Sequence, residues 1–393
     1  MSGSFALCGG RVFDGVGFLE GQALVVSNGR IEAIVAQADL SPSIERRDVA
    51  GSLLVPGFID LQVNGGGGVL LNNQPDLDGI RTICSAHAAY GTTALLPTVI
   101  TDTAEIRARA VEAGIAAYSQ KVPGYLGLHL EGPHLSVARK GTHDPSLIRP
   151  LEQPDLSFLV EHAGRFGEAL ITLAPESVSP GDVTALVEAG YVVSLGHTNA
   201  KARDILPYVS AGASMATHLF NAMSQMENRE PGLVGVALAN GRLSCGLIAD
   251  GFHVDPMVMQ VALAAKKGPA RIFLVTDAMS TIGTDLQGFL LNGREVFRRG
   301  GRLTLADGTL AGADIDMLSC VRFVHEHLGL PLADALNMAS LYPAEAIGCA
   351  TKGTLAVGMD ADLLVLQEDL TLRATFIGGN CAYGEDFAKG VAA

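Results

Sequence analysis

The sequence predicts an α/β protein: a TIM-like (β/α)8 barrel with a small β-sandwich domain formed by both ends of the chain. Three observations lead to this prediction. Eight short apolar runs alternate with amphipathic stretches in the middle of the chain. The two ends consist instead of short β-like pieces separated by glycine turns. Several central runs end in a residue able to bind a metal or transfer a proton, as parallel barrels do at their active rim.

The eight apolar runs are the predicted barrel strands, because nearly continuous hydrophobic segments are typical of a parallel sheet covered on both faces. The stretches between them have helical periodicity, for example residues 104–120, with Asp102 as the predicted N-cap, and residues 257–267. We place the barrel at residues 55–345, close to the usual size of about 250 residues. The predicted strands are 55–63, 93–100, 125–131, 169–176, 191–197, 214–220, 244–249 and 271–277.

The predicted small domain combines residues 1–54 and 346–393. Asn28-Gly29 lies between two apolar β-like runs, and this dipeptide is a strong signal for a two-residue hairpin turn. Neither end has enough apolar residues to form a core alone. We therefore expect the two ends to pair into one β-sandwich beside the barrel.

Composition excludes several classes of function. The net charge of −14 argues against a nucleic-acid partner, since phosphate backbones require clustered Lys and Arg. No apolar run reaches the roughly 18 residues of a membrane span, and the N-terminus lacks the features of a signal peptide. The 6 cysteines are scattered and form no C-x-x-C pair, which predicts reduced thiols in a cytoplasmic protein.

Glu131, His197, His218 and Asp277 each stand at the end of a predicted strand. Imidazole and carboxylate ligands suit Zn²⁺ or Fe²⁺, and a catalytic site keeps positions open for water and substrate. A single histidine is usually structural, but the coincidence of three strand ends favours a metal site. A carboxylate at the end of the eighth strand, Asp277, can accept and return a proton.

Five other histidines are expected to have structural roles. His129 shares a strand face with Glu131 but lies one pleat deeper in the barrel, where packing or support of a ligand is expected. The others stand on predicted helices: His87, His162, His325 and His327.

Seven collinear motifs between about residues 50 and 360 extend this pattern: HLEGP (129–133), KGTHDP (140–145), LGHTNA (195–200), THLFNAM (217–223), REPGLVG (229–235), ADGFHVD (249–255) and LVTDAM (274–279). Together they resemble the amidohydrolase superfamily and, within it, the N-acetylglucosamine-6-phosphate deacetylase family. The resemblance implies an enzyme of amino-sugar catabolism. The implied reaction is hydrolysis of N-acetyl-D-glucosamine 6-phosphate to D-glucosamine 6-phosphate and acetate.

The resemblance also implies residue roles. Glu131, His197 and His218 would hold the metal, Asp277 would be the general base and then acid, and His143 would help polarise the acetamide carbonyl. A homodimer is implied, in which Arg229 reaches the 6-phosphate of the neighbouring subunit's substrate. The implied substrate-binding residues are Thr142, His143, Asn221, Ala222, Arg229, His253, Leu310, Ala311 and Gly312, the last three in a loop that closes over the sugar.

The first strand departs from the wider superfamily, which commonly has H-x-H there as ligands for a second metal. This chain has Gln62-Val63-Asn64. Amides are poor ligands for a borderline-soft cation, so we predict a single divalent ion per subunit. Zn²⁺ is the expected ion, with Fe²⁺ or Co²⁺ as alternatives for the same ligands.

Three alternatives remain open. The galactosamine epimer of the substrate would undergo the same chemistry. A cyclic-amide hydrolase is less consistent with the sequence. Enzymes of that kind have two-metal sites with a lysine at the end of the fourth strand, whereas this chain has TLAPE at 172–176, which contains no lysine. A metal-free barrel that serves as a binding or scaffold protein is disfavoured by the intact set of Glu131, His197, His218 and Asp277.

Overall fold

The structure, a computed structural model, describes residues 4–387. Short strands fill the first part of the chain. The predicted hairpin at Asn28-Gly29 is confirmed, with φ of 51° and 77° at its two turn residues, the positive values that a type I′ turn requires. These strands are β1 (Phe5–Cys8), β2 (Arg11–Phe13), β3 (Phe18–Leu19), β4 (Gln22–Ser27), β5 (Arg30–Ala36), β6 (Glu45–Asp48) and β7 (Ser52–Pro56).

Eight parallel strands then form the barrel, which confirms the predicted (β/α)8 fold. In order around the sheet they are β8, β11, β12, β13, β14, β15, β16 and β17; β9 and β10 form a small hairpin after the first of them. Their bounds are β8 (Phe58–Val63), β9 (Gly65–Gly66), β10 (Val69–Leu70), β11 (Thr92–Ile100), β12 (Gly127–Glu131), β13 (Glu168–Leu173), β14 (Val192–Leu195), β15 (Met215–Ala216), β16 (Ser244–Leu247) and β17 (Ile272–Leu274).

A four-stranded antiparallel sheet, which the sequence did not predict, follows the last barrel strand. We call it the cover sheet; it comprises β18 (Gly288–Leu291), β19 (Arg294–Arg299), β20 (Arg302–Thr304) and β21 (Leu310–Ala313). The last strands of the chain are β22 (Leu363–Gln367), β23 (Leu372–Ile377) and β24 (Asn380–Gly384).

Both ends of the chain contribute to one sheet, with strand order β24-β23-β22-β7-β2-β3. A second sheet, β5-β4-β1-β6, belongs to the N-terminal part alone. Leu24 of that second sheet packs with Leu54, Leu363 and Phe376 of the shared sheet in one buried cluster. The division at 54/55 and 345/346 stays a prediction, and its residues 1–3 and 388–393 lie outside the described residues.

Two local predictions are wrong. Residues 55–63 are not one strand: Val55 and Pro56 end β7 and pair with β22, and the chain enters the barrel after Gly57. A Cβ at Gly57 would lie 2.1 Å from Thr93 Oγ1, so only glycine fits at this crossing. Asp102 is not the N-cap of its helix, because the Thr103 hydroxyl accepts from the Ile106 amide instead.

Helices cover the outside of the barrel. Short 3₁₀ turns occur at Gln37–Asp39 and Val137–Arg139, and a π-helical turn at Phe323–His327. In the part of the chain that the structure describes, no helix is both long and apolar enough to span a bilayer. The helices are α1 (Leu77–Ala88), α2 (Ala104–Ser119), α3 (Gln153–His162), α4 (Pro180–Ala189), α5 (Ala202–Ser210), α6 (Gly232–Ala239), α7 (Pro256–Ala265), α8 (Met317–Arg322), α9 (Leu332–Ala339) and α10 (Leu341–Ile347).

The barrel closes where the end of β8 meets the segment after β17. The Asp277 amide donates to the Gln62 carbonyl at 3.0 Å, and the Asn64 amide donates to the Ala278 carbonyl at 2.9 Å. Below them lies Asp60, fully buried, whose carboxylate accepts the Thr276 hydroxyl at 2.5 Å. Burial raises the pKa of Asp60 to about 7. The closure therefore rests on backbone bonds and on one buried carboxylate.

We expect Thr276→Val to destabilise the protein by about 1–3 kcal/mol, because it removes the hydroxyl donor of a buried carboxyl group. Urea unfolding measures the change. Thr92→Val is the matched control, since the Thr92 hydroxyl is buried without a hydrogen-bond partner among residues 4–387. Equal stability of the two variants would show that the Asp60–Thr276 bond contributes nothing to closure.

Candidate active site

A cavity of about 220 Å³ opens at the carboxyl ends of the barrel strands. The residues around it come from the strand ends, from the loops that follow them and from the cover sheet. This is the face on which barrels of this kind carry their chemistry. Its lining residues are Asn64, Ile100, Glu131, Gly141, Thr142, His143, His197, His218, Asn221, Ala222, Ile248, His253, Asp277, Met279, Thr309, Leu310 and Gly312.

Glu131, His197 and His218 meet at the floor of this cavity, all buried. The Nε2 atoms of both histidines lie 3.2 Å from Glu131 Oε1 and 3.0 Å from each other. Burial opposes ionisation of Glu131, yet the adjacent imidazoles of His197 and His218 hold its pKa well below the usual value. The three residues that the sequence singled out as ligands are thus brought together.

This donor set fits a divalent cation. Two imidazole nitrogens and a carboxylate oxygen converge on one point, and ligand atoms about 2.0–2.1 Å from a tetrahedral ion stand about 3.3 Å apart. His197 Nδ1 lies 2.9 Å from the Arg139 carbonyl, so it donates there and leaves Nε2 as a lone-pair donor. His143 Nε2 stands further off, 4.0 Å from Glu131 Oε2.

Asp277 lies beside this group and is held by two amide side chains. Asn64 Nδ2 donates to Asp277 Oδ1 at 2.7 Å, and Gln62 Nε2 donates to the same oxygen at 3.2 Å. Gln62 Nε2 also lies 3.2 Å from Glu131 Oε1. Burial, and next the charge of Glu131, raises the pKa of Asp277 to about 6. The sequence analysis predicts only that Gln62 and Asn64 do not bind a second metal. Their position at the end of the first strand is the signal that indicates a place in the site.

His143 is buried against the same floor. Its Nδ1 lies 2.7 Å from the Thr101 hydroxyl, and its ring packs edge-on against His197 at 4.4 Å between centroids. Burial, and next the neighbouring His197, lowers the pKa of His143 to about 3. The ring is therefore neutral and carries one N–H. Thr101 was not identified from the sequence, because nothing in the motif pattern marks a threonine after the second strand.

His253 also lines the cavity. Asp250 Oδ2 lies 2.6 Å from His253 Nδ1, and Asp250 Oδ1 accepts the backbone amides of Phe252 and His253 at 2.8 Å each. The DGFHVD segment is thus a turn that fixes the ring and leaves Nε2 without a hydrogen bond to any other residue of 4–387. Arg229, by contrast, is exposed in the loop before α6 and does not line the cavity of its own chain.

The cover sheet forms part of the cavity wall. Leu310 and Gly312 line the cavity, but the predicted loop at 310–312 is strand β21. Ala311 alternates to the other face of this strand and is buried with Val296 and Leu303, so its side chain does not reach the cavity. The Ala313 amide donates to the Asp277 carbonyl at 2.9 Å, which ties the strand to the barrel rim.

Several of these residues have a positive φ, a backbone conformation that residues other than glycine rarely adopt. φ is 47° at His197, 29° at His218, 52° at Asp277 and 48° at Ala222. Such conformations cost on the order of 1–3 kcal/mol each and cluster at functional sites. The chain therefore turns sharply at the residues that line this cavity.

His129 and His87 make contacts outside the lining of this cavity. His129 Nε2 lies 2.8 Å from the Thr172 hydroxyl, inside the barrel and away from the cavity lining. His87 is buried and contacts the Gly65 carbonyl at 2.9 Å. These contacts agree with the packing roles expected from the sequence.

Comparison with known proteins gives the chain its relatives. The Amidohydrolase family profile matches residues 53–382, and that of the NagA composite domain matches residues 4–54. The N-acetylgalactosamine-6-phosphate deacetylase of Shewanella sp. is 44% identical over 86% of this chain and 84% of its own. The N-acetylglucosamine-6-phosphate deacetylase of Homo sapiens is 36% identical over 88% and 87%. The crystal structure of N-acetylglucosamine-6-phosphate deacetylase from Pasteurella multocida superposes with a TM-score of 0.92 at 35% identity, over 95% of this chain and 98% of that one.

We expect purified protein to contain about one tightly bound divalent ion per chain, because Gln62 and Asn64 donate to Asp277 and leave no second set of imidazole ligands. Elemental analysis measures the ratio. His218→Ala should lose the ion and so serves as the reference for an emptied site. Two ions per chain, with activity rising alongside the second, would contradict the single-ion prediction.

Proposed function

The chain belongs to the amidohydrolase family, among the deacetylases of 6-phosphorylated N-acetyl amino sugars, and we propose that it hydrolyses N-acetyl-D-glucosamine 6-phosphate. The products are D-glucosamine 6-phosphate and acetate. One observation carries the proposal: Glu131, His197 and His218 converge beside the buried carboxylate of Asp277 in a single cavity. Amide hydrolysis requires both an electrophilic centre and a group that moves a proton, and the two are adjacent here.

One divalent ion would be held by Glu131, His197 and His218. Zn²⁺ is the expected ion, and Fe²⁺ or Co²⁺ would suit the same ligands. When bound, such an ion lowers the pKa of water and polarises a carbonyl oxygen. The bond of His197 to the Arg139 carbonyl orients this ring for ligation.

Asp277 would act as general base and then as general acid. Its Oδ1 accepts from Asn64 and Gln62, while Oδ2 has no hydrogen-bond partner among the described residues. Oδ2 is thus available to accept a proton from the attacking water and to deliver it to the departing nitrogen. His143, through Nε2, would donate a hydrogen bond to the acetamide oxygen as negative charge develops there.

The sugar phosphate would be held by residues around the rim. His253 faces the cavity as a candidate phosphate ligand, and Arg229 would reach the same phosphate from the partner subunit of a homodimer, which its exposed position permits. The proposed sugar contacts are Thr142, Asn221, Ala222, Leu310, Ala311 and Gly312, with Ala311 limited to its backbone.

The 6 cysteines are free thiols, which supports the expected cytoplasmic location.

A second candidate substrate is N-acetyl-D-galactosamine 6-phosphate. It is favoured by the identity of 44% to a deacetylase of that sugar, against 36% to the human enzyme for the glucosamine epimer. The deciding experiment measures acetate release from both 6-phosphorylated epimers, with the unphosphorylated sugars and a cyclic amide as controls. A higher kcat/KM for the galacto epimer would assign the second candidate. Turnover of the cyclic amide alone would refute both.

Asp277→Asn should lower kcat by at least about 100-fold, because it keeps the shape of the side chain and removes the base. Metal content and melting temperature should stay near those of the unaltered protein, whereas His197→Ala should lose metal together with rate. Turnover near normal in Asp277→Asn would rule out Asp277 as the base.

Arg229→Ala should reduce kcat/KM on the 6-phosphorylated sugar by roughly 10- to 150-fold, the effect of losing a charge-assisted contact of about 1.5–3 kcal/mol. Activity on the unphosphorylated sugar should scarcely change. Mixed dimers of Arg229→Ala with Asp277→Asn should recover activity, since one of their two sites would combine an intact Asp277 with an intact Arg229 from the other chain. With subunit exchange demonstrated, no recovery would mean that Arg229 does not act across the interface.

A further inference from the structure

Thr101 stands directly after strand β11 and is fully buried. Its hydroxyl lies 2.7 Å from His143 Nδ1, and within residues 4–387 this is the only hydrogen bond of that hydroxyl. Gly132 leaves the space that the contact needs, because a Cβ at that position would lie 2.3 Å from Thr101 Oγ1.

The contact decides which ring nitrogen of His143 carries the proton. A neutral imidazole has one N–H, and the other nitrogen accepts. If Nδ1 carried the proton, it would donate to the Thr101 oxygen, and the buried hydroxyl proton would have no acceptor among the described residues. If Nδ1 accepts, the hydroxyl proton is satisfied and the ring proton sits on Nε2. The Glu131 carboxylate, 4.0 Å from Nε2, favours the same tautomer.

We infer that Thr101 is a positioning residue that holds His143 as the Nε2–H tautomer and turns this donor toward the oxygen of the scissile amide. The inference rests on the proposed function, because the donor matters only if His143 faces a carbonyl oxygen that gains negative charge. A ring with the proton on Nδ1 would present a lone pair to that oxygen and repel it.

The kinetic test compares Thr101→Val, Thr101→Ala and Thr101→Ser. Removal of the hydroxyl should lower kcat by roughly 10- to 100-fold, a fraction of the 100- to 1000-fold loss typical of deleting an oxyanion donor. KM and metal content should be unchanged. Thr101→Ser keeps the hydroxyl and should retain activity within about threefold. Thr92 is a buried threonine at the start of β11 whose hydroxyl has no partner among residues 4–387, and Thr92→Val should leave kcat unchanged.

A double-mutant comparison separates action through His143 from general damage. In a His143→Gln background, Thr101→Val should lower kcat by less than about twofold further, because the group that it positions is gone. Full additivity would overturn the inference. Loss of metal in Thr101→Val with retention in Thr92→Val would also overturn it, since His143 would then be serving as a ligand through Nε2.

The tautomer itself can be observed without turnover. Nitrogen-15 spectra of the zinc-loaded protein, with the His143 signal identified by its absence in His143→Gln, should show hydrogen on Nε2 in the unaltered protein and in Thr101→Ser. Thr101→Val and Thr101→Ala should show a mixture of tautomers or the reverse one. Hydrogen on Nδ1 in the unaltered protein would overturn the inference whatever the substrate. Absence of acetate release from both epimers, with hydrogen on Nε2, would refute the proposed function and leave the tautomer assignment standing.

Discussion

Two carboxylates, Glu131 and Asp277, are buried side by side at the rim of the barrel, and the surrounding structure has to compensate their charges. Burial of a carboxylate without partners is costly, and each of the two makes ionisation of the other harder. Gln62 meets this constraint most directly, because its single amide nitrogen lies 3.2 Å from an oxygen of each. Glu131 also lies against the imidazoles of His197 and His218, and the Asp277 carboxylate accepts from Asn64.

The same residues close the barrel. Gln62 and Asn64 belong to the end of the first strand, whereas Asp277 follows the eighth, so the side-chain bonds that hold the Asp277 carboxylate also join the two edges of the sheet. Backbone bonds run alongside them, and the buried pair of Asp60 and Thr276 lies one layer below. Closure of the barrel and placement of Asp277 therefore depend on one set of contacts.

The cover sheet extends this organisation to the mouth of the cavity. Its last strand bonds to the backbone of Asp277, and Arg294 of its second strand donates to the carbonyl of Thr142, next to His143. Loops that come from distant parts of the sequence are thereby fixed relative to one another. Precise placement matters because small displacements of catalytic groups cost large factors in rate.

The sequence by itself determined the barrel, its eight strands and the identity of the groups that converge at its rim. Strands with continuous apolar runs have to be covered on both faces, and the carboxyl ends of parallel strands meet at one edge. The sequence alone therefore places Glu131, His197, His218 and Asp277 together. Tertiary structure alone decided the rest. The left-handed backbone at His197, His218 and Asp277, the partners of Gln62 and Asn64, and the bond of Thr101 to His143 all depend on contacts between segments tens to hundreds of residues apart. Local sequence patterns reveal periodicity along the chain. They do not reveal which side chains from distant segments lie within hydrogen-bond distance of each other.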